Sequence, residues 1–346
     1  MIRKAICRML IPALILSPFG CSGNQPRSTA EPAVTDMPVT IFETSVPEST
    51  VPVASSLLSE PVIIDSDTDL VSQCYSLDLS VLRCLDIENG ARVNASSITI
   101  DQVNAGSPLG NASLVFLSEG TQLNMNSSAV TGSGADTDLI YAGKSSSAVL
   151  TDCGLADTGD NSSCATAEKG GNIVVDTCTF VTEGSAVCLH AGTSGSIECK
   201  SATLSGGLSL TDNGIISMTD CSCSGDILFF GPDNVLTLHN TSVSGTISPF
   251  GDDVSDIMIR LTDGSRFTGS TVENTGTGIS ISMDATSSWE LTSDAYLQGF
   301  SVESGNVTGI KSNGFTIYYN SEHEDCAWLS GKTISLPGNG TLSPLI

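Results

Sequence analysis

The chain has 346 residues, 38 acidic against 13 basic side chains, and a formal net charge of −25. A surface this negative repels phosphate, which excludes nucleic acid as a partner and makes anionic lipid headgroups poor ones. Only 5% of the residues are aromatic while 34 are glycine, so any core must be built from small aliphatic side chains.

Residues 1–8, MIRKAICR, carry Arg3, Lys4 and Arg8, and residues 9–19, MLIPALILSPF, are almost entirely apolar. A basic segment followed by a short apolar one predicts an export signal over 1–20. The apolar run is shorter than the roughly 20 residues a spanning helix needs, and Pro12 and Pro18 weaken it further as a helix. Gly20 and Cys21, followed by polar SGN, resemble the lipobox of bacterial lipoproteins, in which the cysteine is cleaved free and lipidated. Phe19 and Pro18 depart from the usual small residue and leucine of that motif, so ordinary secretory cleavage near Gly20 to Ser22 stays open beside a lipid on Cys21. The resemblance implies an exported protein of the cell envelope or outer cell surface, touching a membrane only through its lipid. Residues 21–60 follow with five prolines and many Ser and Thr. Such composition buries too little apolar surface to offset the entropy of ordering, and predicts a disordered, semi-rigid tether.

From residue 61 short runs of Val, Ile, Leu and Thr alternate with Gly, Ser, Asn and Asp, and no 3.6-residue period is sustained. The pattern predicts an all-β fold. VLTDCGL (149–155) and VVDTCTF (174–180) superimpose at a shift of 25 residues. Extended both ways, the alignment gives a column of small residues: Ser128, Cys153, Cys178, Ala202, Cys221, Thr241 and Ser265. Two residues on lies an apolar column: Val130, Leu155, Phe180, Leu204, Cys223, Val243 and Phe267. Glycine follows soon after in every copy, at Gly132, Gly159, Gly184, Gly206, Gly225, Gly245 and Gly269. A chain that returns to the same place every 19 to 25 residues is a solenoid whose rungs stack about 4.8 Å apart. The prediction is a parallel β-helix with rungs over 96–286, a cap and first rung over 61–95, and C-terminal rungs and a cap over 287–346. The stretch DTDLVSQCYSLDLSVLRCLDI in the first cap is expected to include a short amphipathic helix.

Both tryptophans fall after residue 286, in SSWELTSDAYLQGFSV and SNGFTIYYNSEHEDCAWLSGKTISLPGNGTLSPL. These segments resemble the C-terminal rungs of adhesin-like right-handed parallel β-helix surface proteins of gut-type bacteria, which share the pectate-lyase-like fold. The resemblance covers roughly 287–346 and implies right-handedness and a non-enzymatic surface role. The partner it implies is a cell-surface or extracellular glycan or protein. For a glycan the aromatic platforms would be Trp289, Tyr296, Tyr318, Tyr319 and Trp328, against the plainer reading that each packs in the core or cap.

Parallel β-helices also include polysaccharide lyases and glycoside hydrolases, which need acidic clusters with a basic partner. The best grouping of that kind is Asp252 and Asp253, in GDDVSD, with Arg260 beside them, against the plainer and favoured reading of an acidic turn between rungs. His190, His239 and His323 are scattered, and Cys221-x-Cys223 has too short a spacer for a zinc pair. No cofactor is implied, and calcium is compatible with the acidic turns without being called for. No Thr-x-Thr ladder of the ice-binding kind is present. In an oxidising compartment Cys153 and Cys178, on adjacent rungs, are within reach of a disulfide. A buried ladder of free thiols is the competing expectation.

Overall fold

A computed structural model describes residues 57–78, 81–103, 112–251, 253–272 and 278–345. The predicted signal, Cys21, most of the tether and Asp252 lie outside the described residues. The chain divides into Met1–Val51 and Pro52–Ile346, and the second unit holds every described residue.

That unit is a right-handed parallel β-solenoid of about eleven turns. Each regular rung lays one strand on each of three faces. Among the described residues the first face has 12 strands, from Leu57–Leu58 to Ile310–Lys311. The second has nine, from Val62–Ile64 to Ile247–Phe250, and the third has 11, from Thr68–Val71 to Gly299–Val302. No helix among the described residues is long and apolar enough to cross a membrane.

The register matches the sequence columns residue for residue. Val149 lies opposite Val174. Val130, Leu155, Phe180, Leu204, Cys223, Val243 and Phe267 stack in one buried file on the first face. Trp289 and Ile310 continue it, and Ile100 precedes it. Alternate residues of each strand point inward, so each rung adds a few aliphatic side chains, each worth about 1.5–3 kcal/mol on full burial.

The column of small residues occupies the corner between the third and first faces. A residue with left-handed backbone stands immediately before each of its first six members, from Ser127 (φ 47°) and Asp152 (φ 51°) to Asn240 (φ 45°). At Cys153, Ala202, Cys221 and Thr241 the column member's own N–H is received by a side chain of the next rung. Cys153 N–H donates to Cys178 Sγ (3.3 Å), Cys221 N–H to Thr241 Oγ1 (3.1 Å), and Thr241 N–H to Ser265 Oγ (3.1 Å). The receiving group in turn donates back to a carbonyl of its own corner, as Thr241 Oγ1 does to His239 O (2.9 Å). The column is therefore small throughout, and at Ser128, Cys178, Cys221, Thr241 and Ser265 it is also an acceptor. Thr241→Val keeps the shape and strands the Cys221 N–H, and is expected to lower the unfolding free energy by about 1–3 kcal/mol. Thr241→Ser is expected to restore most of it, and urea titration of the two variants checks this.

Much of the variation in rung length lies at the corner between the first and second faces, except in the rung from Thr241 to Ser265, whose extra residues lie at 251–256. The other long rungs carry loops there, held by buried polar side chains. Gln102 Oε1 accepts from the N–H groups of Ser133 (3.1 Å) and Gly134 (2.8 Å), and Asp157 Oδ1 accepts from Gly159 N–H (2.9 Å). Later rungs replace the loop at this corner with one glycine or a glycine and one more residue, at Gly206, Gly225 and Gly245.

Two expectations for the ends are corrected. Among the described residues of 61–90 no helix forms: Val62–Ile64, Thr68–Val71, Cys74–Leu77 and Leu85–Ile87 are strands of ordinary rungs. Pairing of Thr68–Val71 with Val93–Ser96 outweighs a weak local helical pattern. The first strand, Leu57–Leu58, also begins inside the stretch read as tether. At the other end a 3-10 helix, Glu324–Leu329, buries Cys326 and Leu329, and Ile334–Ser335 pairs antiparallel with Thr341–Pro344.

Candidate functional site

Among the described residues the second face is interrupted. The strand Ile247–Phe250 meets the next rung through a single bridge, Ile247 to Thr271, and the strand position is next filled by Ala295–Leu297, which belongs to a separate four-stranded sheet. The segment 269–278, GSTVENTGTG, lacks the apolar alternation a strand needs. The Thr271 side chain spans the break: it accepts from Tyr296 N–H and donates to Tyr296 O, both at 2.7 Å.

Beside it the described residues leave a shallow, open hollow of about 550 Å³. Tyr296 and Phe315 form its apolar wall, and Thr246, Ser270, Ser293 and Asp294 contribute polar groups. Ser293 Oγ donates to Ser270 Oγ (2.7 Å), and Asp294 Oδ1 accepts from Thr316 N–H (2.8 Å). Tyr296 stacks on Tyr318 with ring centroids 5.1 Å apart. Phe250 (48% exposed) and Val272 (46%) are large apolar residues at the two edges of the interruption.

The residues singled out from sequence are dispersed. Asp253 is exposed at the corner between the second and third faces. Arg260 points outward from the strand Ile257–Thr262, between Thr237 and Ser282, and no ion pair joins it to Asp253. Trp289 and Tyr319 are fully buried, so neither offers a ring face to a ligand. Trp289 Nε1–H donates to Gly269 O (3.0 Å) and Tyr319 Oη–H to Lys332 O (2.9 Å). Trp328 is half-buried against the end of the coil, its indole N–H held by Phe300 O (2.8 Å). Of the five aromatic candidates, Tyr296 and Tyr318 face outward. Cys153 and Cys178 are both buried free thiols, as are eight other described cysteines free, with only Cys74 exposed among them.

Sequence reasoning missed a second grouping, on the outer side of the second face. Asp86, Phe116, Tyr141, Thr166 and His190 stack rung on rung. The Arg83 guanidinium lies 3.6 Å from the Phe116 ring centroid and pairs with Asp86 at 2.6 Å. Phe116 and Tyr141 stack at 5.2 Å. Tyr141 Oη–H donates to Glu168 Oε2 (3.1 Å), and His190 Nε2 is 3.9 Å from Glu168 Oε1. The signal was available: 116 to 141 and 141 to 166 are each 25 residues, the interval of the opening repeat. On the first face Thr203 and Ser205, Ser222 and Ser224, and Ser242 and Ser244 stack outward as two files of hydroxyls.

Among the described residues no group of three or more His, Cys, Asp or Glu is placed to hold a metal ion. Compared with protein-family models, with curated proteins and with solved structures, the chain matches none.

Proposed function

We propose that the chain is an exported, lipid-anchored β-solenoid that acts as an adhesin-like binding module, taking a neutral glycan at the hollow on its second face. The observation that carries this reading is the hollow itself. An apolar ring wall with hydroxyls and one carboxylate around it matches a sugar, which has an apolar ring face and a polar rim. The net charge of −25 favours neutral over anionic glycans. Calorimetry of the full chain against neutral and acidic oligosaccharides tests it. Tyr296→Ala is expected to weaken binding at least about tenfold, roughly 1.4 kcal/mol. Asp294→Asn, which keeps the acceptor for Thr316 N–H, is expected to weaken it less. No binding to any member of the panel would remove the reading.

A second reading, a polysaccharide lyase or glycoside hydrolase, draws support from Glu168, Tyr141 and His190, which bring acid–base groups together on one face. The same panel should be assayed for new reducing or unsaturated ends. Ends that vanish in Glu168→Gln would move the function from binding to cleavage.

A further inference from the structure

Seven buried cysteines, Cys153, Cys164, Cys178, Cys188, Cys199, Cys221 and Cys223, fall within four consecutive rungs. Their placement distinguishes them. Cys153 and Cys178 belong to one column, so their side chains repeat each other's direction. The Cys153 thiol donates to Thr151 O (3.2 Å) and the Cys178 thiol to Asp176 O (3.3 Å). The two thiols do interact, which lowers Cys153 and raises Cys178, but Cys178 Sγ is engaged by the Cys153 N–H (3.3 Å), and equivalent poses on neighbouring rungs hold side chains near the strand spacing of about 4.8 Å.

Cys199 and Cys221 belong to different columns. Cys199 points inward from the third-face strand Ser196–Lys200. Cys221 points inward from the corner of the following rung, after Asp220 in the left-handed region (φ 55°). Their side chains converge instead of repeating, and the sulfurs are 3.7 Å apart. Ala202 N–H donates to Cys221 Sγ at 3.5 Å.

We infer that Cys199 and Cys221 close as a disulfide that staples two adjacent rungs, and that this pair is preferred over Cys153 with Cys178. The bond closes by exchange with a disulfide oxidant of the oxidised-glutathione class. The Cys221 thiolate attacks one oxidant sulfur, forming a mixed disulfide and releasing one thiolate. The Cys199 thiol, losing its proton to that thiolate or to solvent, then attacks Cys221 Sγ and expels the second. Two protein thiols and one oxidant disulfide become one protein disulfide and two free thiols.

Cys221 is the attacking partner because its contact with the Cys199 thiol, helped by the Ala202 N–H, lowers it to about 7. The same contact, with burial, raises Cys199. Thiolate character decides which sulfur attacks. In the closed coil Cys221 is 6% exposed, so the exchange belongs to the stage before the rung bearing Val235–His239 docks over it.

The test is refolding of the full chain from denaturant in a glutathione redox buffer, acid quench, alkylation, and peptide mapping without reductant. The expected result is a cross-link between Cys199 and Cys221, located by fragmentation of the linked peptides. It should be lost in Cys199→Ser and in Cys221→Ser and kept in Cys153→Ser. The oxidised wild type should also unfold at higher urea than the reduced one. Alkylation of both Cys199 and Cys221 after refolding would overturn the inference, as would Cys221 linked to any other cysteine or Cys153–Cys178 as the bond that forms. Mapping needs only the wild type, so a variant that fails to fold does not blunt the result.

Discussion

Gly245→Val is expected to destabilise the coil by about 4 kcal/mol or more, enough to leave much of the chain unfolded at working temperature. Gly206, Gly225, Gly245 and Gly269 stand one above another where the chain leaves the first face, with φ between 148° and 159°. A Cβ on Gly245 would run into the carbonyl oxygen of Gly225, and a Cβ on Gly269 into that of Gly245. The obstacle is backbone from the rung below, which is itself locked in two ladders, so no side-chain rotation relieves it. Strain from the left-handed φ adds about 1–3 kcal/mol to the clash. Gly154→Ala is the control. Nothing lies within 4 Å of its Cβ position, and it faces outward on the first face. It should shift the urea midpoint little, while Gly245→Val should shift it strongly or abolish the folded signal.

These glycines show how a solenoid writes its fold into sequence. A stacking fold repeats its constraints, so each requirement recurs at the rung interval and becomes readable as a column. The apolar file ending in Phe267 was read from such a column alone, and its register holds at every pairing. The small file was legible in its size but not in its chemistry. Only the geometry of the corner shows that Ser128, Cys178, Cys221, Thr241 and Ser265 accept a backbone N–H from the rung before.

Function was less legible because nearness in sequence is a poor guide to nearness on a coil. Asp253 and Arg260 are seven positions apart, yet a corner intervenes and they face different directions. Phe116 and Tyr141 are 25 positions apart and touch. The same logic sorts the aromatic candidates. Trp289 follows Phe267 in the inward file and is buried, while Tyr318 and Tyr319 are consecutive and so must point to opposite sides. The hollow could not be read as a column because the sequence columns of the second face stop short of GSTVENTGTG at 269–278.

Asp157→Asn is expected to stabilise the protein at neutral pH and to do nearly nothing in acid. Asp157 is fully buried at the inner end of the strand Gly154–Asp157. Its Oδ1 is satisfied by Gly159 N–H, but its Oδ2 has no partner. Burial first, with the Asp138 carboxylate adding to it, raises the group from 3.8 to about 6. Between those values the unfolded chain has released this proton and the folded chain still holds it. The folded state therefore binds more protons, and its stability falls as pH rises through that window. Below about 4 both states are protonated and nothing is lost; above about 6 both are ionised and the loss is constant. A shift of this size corresponds to roughly 3 kcal/mol. Asparagine keeps an acceptor for Gly159 N–H and never ionises, so it mimics the neutral acid. Urea titrations of both proteins across the acid range should give a stability difference near zero at the low end. The difference should then climb in favour of Asp157→Asn and level off above about 6. A difference that stays flat across that range would mean that Asp157 ionises as easily folded as unfolded.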